Sequence, residues 1–105
     1  MRQTLTVHAY TIPAQPGLDP IQVYWEDFEP GRGRVTFTCF GSAWTVYFGA
    51  MGKDTIREFF AKADTSYLVN RISGAQNLKQ TRKDEKYLAR IIQAIQEDLA
   101  APAIA

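Results

Sequence analysis

Apolar residues recur at every second position from Leu5 to Phe48, and at every third or fourth position from Asp54 onward. The first period belongs to strands and the second to helices. TLTVHAYTI, residues 4–12, sets Leu5, Val7 and Ala9 against Thr6, His8 and Tyr10, which predicts a first strand with the apolar set inward. PAQPGLDP then breaks the ladder, because three prolines, a glycine and an aspartate cannot continue it. IQVYWEDFE resumes with Ile21, Val23 and Trp25 on one face and Tyr24 and Phe28 on the other. RVTFTCF aligns Val35, Phe37 and Cys39, and AWTVYFG alternates Trp44, Val46 and Phe48 with Thr45 and Tyr47. Glu29-Pro30-Gly31-Arg32 fits a type II turn, and Gly41-Ser42 reads as a two-residue hairpin link. Strands two to four form an antiparallel meander with one apolar face on this reading, and strands one and three can be neighbours.

Three helical stretches follow. KDTIREFFAKAD places Ile56, Phe59, Phe60 and Ala63 on one stripe, with Asp54 or the residue before it as the expected cap. TSYLVNRI is a shorter helix capped by Asp64 or Thr65, with Tyr67, Leu68 and Ile72 inward, and SGAQNLKQ reads as a polar loop. TRKDEKYLARIIQAIQEDLAA starts at Thr81 with Asp84 and Glu85 in its first turn. It carries Tyr87, Leu88, Ile91, Ile92, Ile95 and Leu99 on one stripe and ends at Pro102. Four strands followed by three helices give an α+β class, with the helices packed on one face of an N-terminal antiparallel sheet and residues 1–105 forming one domain.

Composition adds mainly exclusions. The 105 residues are 46% hydrophobic with a net charge of +1, which suits one core and argues against a general DNA coat or a polyanionic DNA mimic. The lone Cys39 cannot form an internal disulfide and fits a reducing cytoplasm. No stretch approaches a signal peptide or a membrane span, so a soluble intracellular protein is expected.

Candidate chemistry is sparse. His8 and Cys39 are the sole imidazole and thiol, and alternation assigns them to opposite sets, so a buried structural thiol is favoured over a nucleophile–base pair. One His and one Cys cannot build a zinc site. Glu26, Asp27 and Glu29 could offer oxygens to a cation, but Arg32 and Arg34 lie close enough to neutralise them. Asp27, at the end of the Ile21–Val23–Trp25 face, is the best placed acid for a perturbed pKa, although a strand-end charge bonded to a turn explains it equally. GAMGKDT, residues 49–55, could hold an anion with Lys53 at a helix start. Its spacing is not a phosphate loop, and a tight strand-to-helix turn accounts for the glycines. No cofactor, metal or catalytic residue is expected, and the chain is read as a non-enzyme.

Charge is distributed unevenly. Residues 19–29 hold Asp19, Glu26, Asp27 and Glu29 and no base. Residues 71–90 hold Arg71, Lys79, Arg82, Lys83, Lys86 and Arg90 against Asp84 and Glu85. The basic segment could grip phosphates, or could simply be the solvated side of an amphipathic helix.

The run YWEDFEPGRGRVTFTCFGSAWTVYFGAMGKDTIREFFAKADTSYLVNRI, with Tyr87-Leu88-Ala89-Arg90-Ile91-Ile92 near the end, resembles a family of small proteins of enterobacterial tailed phages and prophages. The shared pattern is ED, PGRGR, a cysteine-bearing strand, AW-x-x-Y/F, GxMG, an aromatic helix and YL-x-RII. Where members often carry a longer acidic insertion, this chain has SGAQNLKQ. The resemblance implies an accessory phage protein acting on host machinery, an anti-CRISPR or anti-restriction type of inhibitor being the finer expectation. Its partner would be a host protein or ribonucleoprotein complex, bound without a membrane by a monomer or homodimer. Arg32 and Arg34, with Glu26, Asp27, Glu29, Tyr24, Phe28 and Tyr47, are the expected contacts. The alternative is a nucleic-acid-binding module using Arg71, Lys79, Arg82, Lys83, Lys86 and Arg90.

Overall fold

The computed structural model describes residues 1–76 and 81–101. Four strands, β1 (His8–Ile12), β2 (Ile21–Glu29), β3 (Arg32–Cys39) and β4 (Ser42–Phe48), precede three helices, α1 (Ile56–Lys62), α2 (Thr65–Ala75) and α3 (Arg82–Ala100). The sheet is an antiparallel meander in the order β1-β2-β3-β4. Strands one and three are therefore separated by β2.

Alternation decides which face the helices cover. Ile21, Val23 and Trp25 of β2, Val35, Phe37 and Cys39 of β3, and Trp44, Val46 and Phe48 of β4 are all buried. They meet Ile56 and Phe60 of α1, Leu68 and Ile72 of α2, and Leu88, Ile91, Ile92 and Ile95 of α3 in one core. Trp25 is fully buried, packs edge-on against Phe60 at 5.4 Å, and donates its indole N–H to the Tyr10 hydroxyl at 3.0 Å. A buried indole needs such a partner.

β1 departs from the expected phase. It starts at His8 rather than Thr4, and its register sets His8, Tyr10 and Ile12 opposite Trp25, Val23 and Ile21 on the helix side. Leu5 and Val7 are exposed, and Ala9 lies on the outer face opposite Tyr24. Parity is set at the far end, where Ile12 joins Ile21 in the core, so the apolar set nearer the N-terminus falls outside it. The β3–β4 link is Phe40-Gly41 rather than Gly41-Ser42, with φ of +50° and +77° at the two residues.

Helix caps explain the remaining boundaries. Thr55, not Asp54, caps α1 in a reciprocal box with Glu58, because the Asp54 carboxylate is held by Lys62 at 2.6 Å. Asp64 caps α2, which runs on through Ser73–Ala75, residues expected to be loop. Within α2, Val69 is buried and Tyr67 is exposed, the reverse of the expected Tyr67 assignment. Thr81 caps α3 in a box with Asp84, whose carboxyl is held below its ordinary range by the Thr81 backbone and hydroxyl donors. Gln96 of α3 fastens the α1–α2 corner, donating to the carbonyls of Phe60 and Ala63 and accepting from Thr65 Oγ1. The expected stop at Pro102 lies outside the described residues.

Candidate functional site

All three helices lie on one side, so the opposite sheet face is open. It is lined by Gln22, Tyr24, Thr36, Thr38 and Thr45 at its centre, with a charged and aromatic cluster where β2 turns into β3. The centre is joined by side-chain bonds, Thr36 to Thr45 at 3.0 Å and Tyr24 to Gln22 at 3.2 Å.

The cluster is built from strand pairing. Glu26 sits directly across from Arg34, and Arg34 from Tyr47. Arg34 donates Nε and Nη2 to the two Glu26 oxygens at 2.9 and 2.8 Å, a bidentate pair in which Glu26 is 9% exposed. The Arg34 guanidinium also lies 5.5 Å from the centre of the Phe28 ring. Alternation sets Phe28 on the outer face 6.2 Å from Tyr47, and a shift of register between Asp27 and Glu29 brings Glu29 across from Arg32 on that same face. Arg32, at the tip, donates to Glu29 and to the Tyr47 hydroxyl, both at 2.8 Å. Hydrogen bonds to Glu29 and Glu26 raise Arg32 and Arg34, respectively, above the ordinary arginine value. Beside the tip, a polar hollow of about 580 Å³ separates residues 3–6 from Glu26, Asp27, Phe28 and Arg32.

Seven of the eight expected contact residues thus share the outer face, with Tyr24 toward the sheet centre and the other six at or near the tip. Asp27 does not join them. Its register with Gly33 turns it to the helix side, where Oδ1 accepts the Ile56 backbone N–H at 2.8 Å.

That contact resolves the glycine spacing of PGRGR and GAMG. Gly31, at φ +86°, accepts from Met51 N–H and donates to the Asp54 carbonyl, and a Cβ there would stand 2.3 Å from the Gly52 carbonyl oxygen. A Cβ on Gly33 would lie 2.8 Å from the Glu26 carbonyl oxygen and 3.0 Å from Ile56 Cβ. The hairpin tip is therefore the seat on which the 49–55 turn and the start of α1 rest, a contact beyond the tight strand-to-helix turn expected for GAMGKDT. The sequence signal was present in the paired glycine runs, but only the contact explains it.

The chemistry tested at sequence level is dispersed. His8 pairs with Trp25 and Cys39 with Ile21, positions four residues or roughly 13 Å apart along β2. Cys39 is buried and receives a hydrogen bond from Tyr87 Oη at 3.3 Å, which with burial pushes the phenol up to about 12. Among the described residues no group of three His, Cys, Asp or Glu side chains is placed to hold a metal ion. No helix among them is long and apolar enough to cross a membrane.

The basic set is divided. Arg71 donates to the Tyr47 carbonyl at 3.0 Å and lies over the Phe48 ring, while Arg90 grips the carbonyls of Pro16 and Gly17. Lys79 lies outside the described residues. Arg82, Lys83 and Lys86 are exposed on the first turns of α3, interleaved with Asp84 and Glu85. Arg82 and Lys86 border a groove of about 350 Å³ against Thr65, Ser66, Val69 and Asn70 of α2. Phe40, which the sequence reading passed over, is 80% exposed at the opposite end of the sheet from Arg32.

The chain is thus an α+β protein with one uncovered sheet face, at whose tip Arg34 pairs with Glu26 and Arg32 with Glu29. A family model described as a phage family matches residues 1–98, and the chain belongs to that phage family. No curated protein and no solved structure matches the chain.

Proposed function

We propose that this phage-family protein is a non-enzymatic binding protein that docks on a host macromolecular complex and blocks it by occlusion. The class of target is a host protein or ribonucleoprotein assembly of the bacterial cytoplasm, a defence effector in the finer form of the reading. The observation that carries it is the open sheet face, which presents Phe28 and Tyr47, 39% and 45% exposed, beside an arginine already held in place. Arg32 and Tyr47 fix one another, so a partner meeting them has less side-chain freedom to remove. Arginine and tyrosine are also the residue types that dominate interface energy. The paired charges make the tip nearly neutral, so recognition rests on shape and hydrogen bonding more than on long-range steering.

Family membership supports the setting, since phage genes are expressed inside a host cell. The division of the basic residues weighs against the nucleic-acid reading, because Arg71 and Arg90 are engaged with backbone carbonyls. Affinity purification of the tagged chain from its host, followed by assay of the recovered complex with and without added chain, tests the proposal. A stoichiometric complex whose activity the chain suppresses is the expected result. Recovery of nucleic acid alone, with affinity falling steeply as salt rises, contradicts it.

A further inference from the structure

The two edges of the sheet are treated differently. At the β4 edge, Arg71 of α2 donates to the Tyr47 carbonyl and Gln76, its C-cap, to the Thr45 carbonyl, both at 3.0 Å, so these side chains occupy outward acceptors of that strand. Because hydrogen-bonded and non-bonded pairs alternate in antiparallel ladders, outward Thr45 and Tyr47 imply inward-bonded Arg34 and Thr36 between β3 and β2. Val23 and Trp25 then bond toward β1, and the backbone groups of Ala9 and Thr11 point away from the sheet. Among the described residues no donor or acceptor meets them.

That edge is guarded only by its five-residue length and by Pro13 just past Ile12, and carries neither charge nor bulge. Residues 3–18 contain no Asp, Glu, Lys or Arg, and β1 itself contains no proline or bulge. Natural sheets place lysines, prolines or bulges on exposed edges to prevent pairing. On the outer face the edge side chains are small, Ala9 and Thr11, so another strand can approach closely. A neutral, short edge offers nothing to select a charged peptide, yet it meets its own copy without charge conflict.

We infer that β1 is a self-association edge: two copies pair antiparallel through His8–Ile12 about a two-fold axis at Tyr10, giving one continuous eight-stranded sheet. Ala9 then exchanges backbone bonds with Thr11 of the second copy, and Thr11 with its Ala9, which satisfies both outward residues of the observed strand at once. Such an interface is isologous and closes on itself. It places the two open faces side by side, so a dimer presents twice the contact surface of one chain. The inference stands on the edge geometry and does not depend on the proposed host target.

The test is light scattering or sedimentation of the full chain over a wide concentration range, with amide exchange read at Ala9 and Thr11. A mass of two chains at the upper concentrations is expected, with both amides slowing as the dimer fills. Thr11→Pro removes an outward donor that the monomer does not use, and should raise the dissociation constant about tenfold or more. Thr11→Lys installs an edge charge without restricting the backbone and should act in the same direction. A monomer at every concentration overturns the inference and leaves the edge to a different chain. A dimer equally tight in both variants also overturns it.

Discussion

Asp27 Oδ1 accepts the backbone N–H of Ile56 at 2.8 Å, so a side chain from the end of β2 satisfies one of the free amides in the first turn of α1. The link joins two stretches 29 residues apart and orients the first helix against the hairpin that carries Arg32 and Arg34. Asp27→Ala should cost about 1 kcal/mol, as loss of a cap does elsewhere. Chemical denaturation of the variant measures it, and an unchanged midpoint would show that the contact is not holding the helix.

Gly31 and Gly33 should tolerate no side chain. Alanine at Gly31 would force its Cβ against the Gly52 carbonyl at 2.3 Å, and alanine at Gly33 against the Glu26 carbonyl at 2.8 Å, both of them backbone atoms that cannot swing aside. Each substitution is expected to destabilise by more than about 2 kcal/mol. The same measurement on Gly74→Ala, where nothing lies within 4 Å, should show no comparable loss.

Phe40 holds a left-handed backbone with its ring 80% exposed, so it gains little from burial and carries the strain of that conformation. Phe40→Asn should stabilise the fold by about 0.5–1 kcal/mol, since asparagine tolerates that region better. Thermal unfolding gives the answer. A lowered melting temperature would mean that the ring contributes to the native fold after all.

The Tyr87 phenol titrates at about 12, raised from 10.0 first by its bond to Cys39 and then by burial. A folded value above the unfolded one stabilises the protein fully below about 10, and that contribution is lost as pH rises toward 12. Tyrosinate absorbance should therefore show two late-titrating tyrosines, Tyr10, raised mainly by burial, and Tyr87. Cys39→Ala should lower the Tyr87 midpoint while leaving the part due to burial.

Much of the architecture was legible in the chain because its periods are clean. The 33–39 and 44–48 alternations report a sheet with one covered face, and the 82–99 stripe reports a helix lying against it. Local chemistry also gave the turn at Pro30-Gly31. The misreadings occurred where a distant contact overrules a local pattern. Leu5 and Val7 alternate correctly but lie beyond the stretch where β1 pairs with β2. Phe40 occupies a turn position that glycine or asparagine usually takes, which displaced the expected link by one residue. Gly33 answers to contacts outside its own strand, the Glu26 carbonyl oxygen on β2 and Ile56 of α1, which no local pattern displays.

Candidate contact residues were legible by type but not by state. Alternation collects Tyr24, Glu26, Phe28, Arg34 and Tyr47 on one face, whereas the bidentate Arg34–Glu26 geometry needs the strand register. That pair changes how the face should be probed. Arg34→Ala would strand the nearly buried Glu26 carboxylate and weaken the fold itself, so it confounds any binding result.

The most direct measurement compares capture of the host complex by two folded double variants. One alters the open sheet face, Arg32→Ala with Tyr47→Ser, and the other alters the basic turns of α3, Lys83→Glu with Lys86→Glu. With melting temperatures matched to the unaltered chain, the face variant should lose the complex and the helix variant should retain it. Retention by the face variant with loss by the helix variant would contradict docking through the open sheet.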